Sequence, residues 1–543
     1  MDVDGGGGGG GGAAFFPDDV LAEILGRLRA HFLVRCRCVC AAWRAVVDGR
    51  GLLLPHALPR AFPGFFFTGV GARSWSGPGS GFLAPPAARA PAVDRLAFLR
   101  ITGGGGDGEV VVGHHCNGLV LCFQDECRSG RPRAGFVCNP TTERWARLPP
   151  PPTWWPRRHE GVFLAFDPAV SPDYDVLLLP VPPPRRGTTR ERDGGGGLPK
   201  APAPVTLDMF VPEPSGKSPP PEEKVLPLYV FSSVTGQWRR GMFAPGRRAP
   251  ARLYDKVMAR RRRGSSEPDQ WAPTWRSAVY SRGALYAHCE KRILVVLRCS
   301  EGTYDMVKLP AAAGGGGADA GAHYASGHVL SGLPVDSIFS SAEEGVLLRY
   351  TSIVDASRVK VWALRESSTA GDGELEWTLT HDKDLGAHAR MLNLLHDAAS
   401  NRAPLDATGA AAAAGGHGER ACWFSDEDGE ELAANGDDGD SAAGRPRWNW
   451  DGAGVLDMEV GDGELLGGAA AGSPSPFLVL GCHPVEAVVY LAAGAFHVVA
   501  YHLGGGKVRY MGRVLSLSDG DRVEAVLPYR PCIVDALPPY RCH

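Results

Sequence analysis

The sequence predicts a mainly β protein that carries a small α-helical unit near its N-terminus. Two observations favour this class. In the first half of the chain, apolar residues recur at helical spacing only within residues 15–58, and short β-type segments bounded by turn formers follow from Val110 onward. At 543 residues, the chain is long enough to bury a sizeable core beyond the helical unit.

The helical unit begins with a recognisable start signal. Pro17 suits a first helical turn because its missing N–H has no partner there, and Asp18 and Asp19 face the positive end of the helix dipole. One apolar stripe follows at helical spacing: Val20, Leu21, Ile24, Leu25 and Leu28. A second apolar pattern follows on one face: Phe32, Cys36, Val39, Trp43, and Val46 or Val47. A unit this small buries little surface alone, so we expect it to lean on a partner or on the rest of the chain.

These segments resemble a known motif in both identity and spacing. The matching stretches are Phe16-Pro17-Asp18-Asp19-Val20-Leu21, Glu23-Ile24-Leu25, Arg27-Leu28, Val34-Arg35-Cys36-Arg37, and Val39-Cys40 with Trp43-Arg44. Together they resemble the F-box motif. The resemblance implies three helices that dock onto the Skp-type adaptor of a cullin-RING ubiquitin ligase, while the rest of the chain captures the substrate. Phe16 and Arg29 stand where the family usually has leucine and proline, and neither change removes an apolar contact.

The resemblance also implies which side chains meet the adaptor. They are Pro17, Asp18, Leu21, Ile24, Leu25, Leu28, Val34, Val39, Cys40 and Trp43. Without the resemblance, the simpler interpretation of the first stripe is a helix that packs against its own domain.

The β region shows a recurring unit. Strand, turn and strand patterns run from Phe136 to Trp145 and from Leu228 to Trp238, and meanders follow over 278–297, 346–379 and 477–514. Meanders of this kind about every 40 to 50 residues indicate a β-propeller-like repeat domain, of about six to eight blades. The alternative is a pair of packed β-sheets.

Parts of this region also resemble a family. Gly113-His114-His115-Cys116-Asn117-Gly118-Leu119-Val120-Leu121-Cys122 and Cys138-Asn139-Pro140-Thr141-Thr142 resemble the opening of the F-box-associated region of plant F-box proteins. Val499-Ala500-Tyr501-His502-Leu503, Gly506-Lys507-Val508 and Arg530-Pro531-Cys532 resemble its close in grass members.

The composition predicts the division of the chain. We expect a disordered glycine tail at 1–14, a helical domain at 15–58, a linker or wrapping segment at 59–95 and the β domain at 96–540. Within the β domain, residues 181–224, 311–322 and 396–446 have too few large apolar side chains to offset the entropy of ordering, which predicts disordered insertions.

Charge and cysteine usage narrow the classes of partner. A net charge of −3 gives no basic field for nucleic acid, and thirteen scattered cysteines favour a reducing compartment. No signal peptide is visible, and the longest apolar region, 477–503, is interrupted by polar residues and predicts core strands rather than a membrane span. We therefore expect a cytoplasmic or nuclear protein without nucleic-acid or membrane partners.

Candidate catalytic and metal sites have simpler explanations. Cys36, Cys38 and Cys40 alternate within a predicted helix and cannot converge on one ion, and His114, His115 and Cys116 are adjacent and predict a turn before a strand. We expect no catalytic residue, cofactor or metal. The predicted function is a non-catalytic substrate receptor of an SCF-type ligase, which contacts cullin and RING subunits through the adaptor and binds an unknown protein substrate. There are two alternatives: a propeller interaction scaffold without ligase association, and an enzyme built on the propeller.

Overall fold

A computed structural model of the chain shows a small helical unit followed by a ring of β-sheets. It describes residues 17–58 except 29, 62–70, 79–83, 110–125, 132–152, 161–180, 224–250, 253, 275–289, 292–310, 336–366 except 342, 375–392, 477–493, 497–513, and 522–537 except 535. The predicted glycine tail, the insertions 311–322 and 396–446, and all of 181–224 except Lys224 lie outside these residues. Lys224 itself is buried, and its carbonyl accepts a hydrogen bond from the Tyr304 hydroxyl at 2.8 Å, so the predicted insertion is wrong at that residue.

The helical unit contains three α-helices and a short 3₁₀ helix. Their bounds are α1 Asp18–Gly26, α2 Ala30–Cys36, α3 Ala41–Gly49 and, for the 3₁₀ helix, Leu54–His56. This confirms the predicted N-terminal α unit. Cys38 and Cys40 lie between α2 and α3 rather than within one helix, because the chain leaves the helical conformation after Cys36.

The strands are grouped by sheet. Two strands, β1 Gly64–Val70 and β2 Gly79–Leu83, come first. Blade 1 contains β3 Val110–Cys116, β4 Leu119–Asp125, β5 Pro132–Asn139 and β6 Arg144–Arg147; blade 2 contains β7 Val162–Phe166, β8 Tyr174–Leu178, β9 Leu226–Ser232 and β10 Gln237–Pro245. Blade 3 contains β11 Trp275–Ser281, β12 Ala284–Cys289, β13 Ile293–Arg298 and β14 Thr303–Lys308; blade 4 contains β15 Asp336–Ser340, β16 Val346–Val354, β17 Arg358–Glu366 and β18 Leu375–Asp384. Blade 5 contains β19 Leu478–Cys482, β20 Val488–Ala493, β21 His497–His502 and β22 Val508–Arg513, and β23 Arg522–Tyr529 is the last strand.

Each blade is an antiparallel meander. Blades 1, 4 and 5 are separate four-stranded sheets, while blades 2 and 3 join into one eight-stranded sheet through a short parallel pairing of β10 with β14. The first strands of successive blades contact one another in the order β3, β7, β11, β15 and β19. β23 contacts both β19 and β3, which closes the circle. Within the described residues the β domain is therefore a six-bladed propeller, and the alternative of two packed sheets is wrong.

The sixth blade joins both ends of the chain. β23 pairs antiparallel with β1, which pairs antiparallel with β2, in a three-stranded sheet. Both β1 and β2 lie within 59–95, the stretch predicted as a linker or wrapping segment. Phe65 and Phe66 of β1 are buried, and they pack in the cores on either side of the sixth blade. Glycine- and proline-rich flanks conceal this apolar run in the sequence.

Stacking between blades explains the long apolar runs. Every residue of β12 and of β20 is buried, because a strand in the middle of a blade is covered by the neighbouring blade on each face. One core lies between blades 2 and 3 and includes Leu228 and Leu285, and another lies between blades 4 and 5 and includes Val361 and Val489.

The meander topology gives the ring two distinct faces. In blades 1 to 5, the turns between the first and second strands and between the third and fourth strands lie on one face, which we call the proximal face. The turns between their second and third strands, and the connections that leave their fourth strands, lie on the distal face. These include the connections β8 to β9, β14 to β15 and β18 to β19, where the three predicted insertions occur.

The motif at the end of β3 differs from its prediction. His114 and Cys116 are buried residues of the strand itself, and the turn begins after them at Asn117, with φ 46°, and Gly118, with φ 92°. The predicted turn over 114–116 is therefore wrong. The innermost strand of the blade extends to this point because its side chains pack against blade 2.

Candidate functional site

The first helix divides its apolar residues between an inner and an outer surface. Leu21 and Leu25 are 3% and 1% exposed and pack in the core of the helical unit with Leu33, Val46 and Val47. Val20 and Ile24 lie one turn apart on a different face and are 42% and 44% exposed. The predicted stripe is therefore two surfaces, of which only the outer one is open to a partner.

The second predicted stripe is divided in the same way. Cys36, Val46 and Val47 are buried, whereas Phe32 is 45% and Val39 is 63% exposed. These residues do not share one face, because the chain turns between α2 and α3 and directs Val39 outward.

The turn between α2 and α3 is held by local polar contacts. The Cys40 sulfur accepts a hydrogen bond from Trp43 N at 3.4 Å and so caps α3, and Arg44 Nε donates to the Arg37 carbonyl at 3.1 Å. Arg37 also forms an ion pair with Asp48 at 2.7 Å. These contacts fix the position of Val39 beside the cap.

The ten side chains predicted to meet the adaptor fall into three groups. Six are exposed: Pro17, Asp18, Ile24, Val34, Val39 and Cys40. Leu28 and Trp43 are half-buried and pack against the core of the helical unit, and Leu21 and Leu25 are within that core. In this arrangement Leu21 and Leu25 stabilise the unit, and contact with an adaptor stays a prediction for the exposed members.

Five apolar side chains form what we call the exposed apolar set: Val20, Ile24, Phe32, Val34 and Val39. Nine large apolar side chains are notably exposed among the described residues, and these five all lie within a stretch of twenty residues. Exposed apolar side chains at this density in one small unit favour burial against a partner. Neither Val20 nor Phe32 is among the ten side chains predicted to meet the adaptor.

The helical unit is attached to the propeller by the C-terminal segment, residues 530–537. Ile533 N donates to the Ala57 carbonyl at 3.0 Å, and Arg530 Nη2 donates to the Leu58 carbonyl at 2.8 Å. Ile533 also packs against the core of the helical unit. The segment thus contacts the end of the helical unit through both polar and apolar groups.

The other side of the C-terminal segment is bound to blade 1. Asn139, fully buried at the end of β5, donates its amide to the carbonyls of Cys532 and Val534 at 3.0 and 3.3 Å. Its side-chain oxygen accepts from Thr141 N at 3.0 Å, which fixes the orientation of the amide. Because Asn139 lies at a turn of the proximal face, the helical unit is held on that face. In the sequence, Asn139 stands out only as part of the 138–142 stretch that resembles the F-box-associated region.

No group of three or more His, Cys, Asp or Glu side chains in the described part of the chain is arranged to hold a metal ion. None of the helices described is both long enough and apolar enough to cross a bilayer.

Comparison with known proteins identifies the helical unit. Residues 16–54 match the F-box domain family, so the chain carries an F-box domain, and domains of this family bind Skp-type adaptors within SCF complexes. No curated protein sequence matches the chain.

Two solved structures illustrate the similarity of the β domain. The β-propeller domain of Myceliophteria thermophila Cps50 (Swd1) is 10% identical, with 60% of this chain and 74% of that chain covered and a TM-score of 0.25. Apo AztD from Citrobacter koseri is 10% identical, with 55% and 64% covered and a TM-score of 0.19. Both scores are too low to carry an argument, and the propeller assignment rests on the strand pairing and the closed ring described above.

Proposed function

We propose that the protein is a substrate receptor of an SCF-type cullin-RING ubiquitin ligase, as the sequence predicts. The observation that carries this proposal is the exposed apolar set on the F-box domain. Burial of these side chains against a Skp-type adaptor is favourable because each leaves water, at about 25 cal/mol per Å² of apolar surface. The adaptor then connects the chain to the cullin and RING subunits.

The propeller has the complementary role of holding a protein substrate. The C-terminal segment fixes the F-box domain to blade 1 through buried hydrogen bonds, so a substrate on the propeller is kept at a defined distance from the ligase. Rate enhancement comes from proximity, since a tethered substrate lysine has a raised effective concentration at the charged conjugating enzyme. The chain itself performs no chemistry in this proposal, and it acts in the cytoplasm or nucleus. Kinship with grass F-box proteins remains a prediction from the sequence.

Co-purification of the full chain with a recombinant Skp-type adaptor tests the proposal. Ile24→Asp and Val39→Asp each place a charge in the proposed apolar contact and are expected to reduce adaptor recovery by at least about tenfold. Leu379→Asp is the matched control, because Leu379 is 47% exposed on β18, away from the F-box domain. Leu21→Asp is unsuitable, because Leu21 is buried in the core of the unit.

Three results decide between the hypotheses. The receptor hypothesis is supported if the wild-type chain and Leu379→Asp both recover the adaptor while Ile24→Asp and Val39→Asp do not. Equal recovery by all variants contradicts the proposed surface. Failure of the folded wild-type chain to bind any of several Skp-type adaptors favours the scaffold without ligase association.

A further inference from the structure

A cleft of about 280 Å³ opens on the proximal face between blades 2 and 3. It is lined by the turns that follow β7 and β9 and by the turn between β11 and β12. Three hairpins from two blades thus build one concave site on the face that carries the F-box domain.

The cleft is acidic. Asp167, Asp173 and Asp175 line it, and its lining includes no lysine, arginine or histidine. Asp167 accepts from Ala169 N at 3.1 Å and Asp173 accepts from the Ser171 hydroxyl at 2.8 Å, so both carboxylates are oriented by their own turn. Burial raises the pKa of Asp175, an effect that a hydrogen bond from Ser232 and the charge of Arg239 on β10 partly offset. A cation in the cleft would stabilise the charged form of this carboxylate.

Two tyrosines provide the aromatic part of the lining. Tyr174 is only 5% exposed, and its ring lies against Phe231 with a centroid distance of 6.3 Å. Its ring belongs to the core between blades 1 and 2, so Tyr174 closes the cleft from the side of blade 1. Tyr280 is half-buried, and burial raises its pKa to about 12, so it lines the cleft as a neutral phenol.

The rim of the cleft is apolar. Val170 is 76% and Val234 is 71% exposed, and no other large apolar side chain in the described ranges is more exposed. Both lie at the tips of turns that line the cleft. A ligand with a cationic centre and apolar flanks would cover the two valines while it reaches the carboxylates.

We propose that this cleft binds a lysine or arginine side chain, flanked by apolar residues, of a protein substrate. The cationic head meets Asp167, Asp173 and Asp175, while the aliphatic stem lies beside the Tyr280 ring. That the bound protein is a ubiquitination substrate rests on the proposed function. The binding itself needs no adaptor.

Fluorescence anisotropy with the full chain and a labelled pentapeptide tests the cleft. The peptide has a central arginine between valines, and counterparts carry lysine, citrulline or glutamate at the centre. We expect the arginine and lysine peptides to bind at least about tenfold more tightly than the citrulline peptide, with affinity that falls as salt rises. The double substitution Asp173→Asn and Asp175→Asn is expected to remove about the same factor. Glu376→Gln removes an exposed carboxylate on β18 and should change nothing.

The outcomes separate this proposal from the receptor proposal. Three results would each contradict binding in the cleft, independently of adaptor binding. They are equal binding of the arginine and citrulline peptides, an unchanged peptide affinity in the double variant, and an equal loss of affinity in Glu376→Gln. If Ile24→Asp loses adaptor recovery but keeps its peptide affinity, the proposal of binding in the cleft is unaffected. Circular dichroism of the variants confirms that each is folded.

Discussion

The imidazole of His114, on the innermost strand of blade 1, donates its Nε2 hydrogen to the carbonyl of Ala278 on blade 3 at 3.0 Å. Its Nδ1 accepts a hydrogen bond from Leu164 N of blade 2, also at 3.0 Å. Because Leu164 N can only donate, Nδ1 must be unprotonated and the proton must lie on Nε2. One neutral histidine therefore connects the innermost strands of three blades.

This arrangement predicts acid sensitivity of the propeller. Burial lowers the pKa of His114 to about 4, below the ordinary value of 6.5. Between these two pH values the unfolded chain binds a proton that the folded chain does not, so stability is complete above pH 6.5 and falls as the pH drops towards 4. The loss between pH 7.5 and pH 5 is on the order of 2 kcal/mol. Urea unfolding near pH 7.5 and about pH 5 measures it.

A matched pair of variants assigns this effect to His114. His114→Gln keeps an amide donor and acceptor but cannot titrate, so its unfolding free energy should differ less between the two pH values than that of the wild type. Burial also lowers the pKa values of His288 and His483, so some pH dependence should remain in the variant. His56→Gln changes an exposed histidine and should leave the difference intact. An identical pH dependence in His114→Gln and the wild type would contradict the assignment.

A second prediction concerns Gly118, in the turn between β3 and β4. It has φ +92°, and a Cβ added there would lie 2.2 Å from Cys532 Cβ in the C-terminal segment. Gly118→Ala is therefore expected to cost roughly 1 kcal/mol of backbone strain plus roughly 1 to 3 kcal/mol of overpacking. The free energy of unfolding measures the sum.

Gly236 provides the control for this prediction. It also has a positive φ, +66°, but no atom lies within 4 Å of an added Cβ. Gly236→Ala should show the strain alone. If Gly118→Ala and Gly236→Ala lose the same free energy of unfolding, the C-terminal segment does not pack tightly against the Gly118 turn.

The sequence predicted much of the propeller because its strands are local features. Leu228 to Phe231, the Gly236 turn and Trp238 correspond to β9 and β10, and similar patterns found the strands around Leu285 and Val359. Local patterns do not show which strand meets which over long distances. The pairing of Phe66 with Leu527 joins opposite ends of the chain, and no periodicity in either segment encodes it.

For the F-box domain, the sequence located the first helix but not the division of its apolar residues between core and surface. The Pro17 and Asp18 start signal located α1, where Leu21 N donates to the Pro17 carbonyl at 3.0 Å. Spacing alone could not show that Leu21 is buried and Ile24 exposed, because both belong to one broad apolar stripe. Which of them is buried depends on where α3 packs. The cleft lining was missed because Asp167, Asp173 and Asp175 are ordinary turn and strand residues until three hairpins bring them together.

A third prediction concerns the amide of Asn139. Asn139→Ala removes the donor for the buried carbonyls of Cys532 and Val534, which should cost about 1 to 3 kcal/mol of unfolding free energy. Faster amide hydrogen exchange at Ile533, whose N–H binds Ala57, should accompany the loss. Gln237→Ala, at an exposed amide on β10, should affect neither quantity. Unchanged exchange at Ile533 in Asn139→Ala would show that blade 1 does not hold the C-terminal segment.

The last prediction separates the stability of the F-box domain from its binding surface. Leu21→Ala opens a cavity beside Leu33 and Val47 and should destabilise the helical unit by about 2 to 5 kcal/mol. Ile24→Ala, at a side chain 44% exposed, should change its stability by less than roughly 0.5 kcal/mol. Hydrogen exchange of the α3 amides, followed by mass spectrometry, measures both values in the full chain. Adaptor affinity should fall in Ile24→Ala despite its normal exchange, and a normal affinity there would exclude Ile24 from the contact surface.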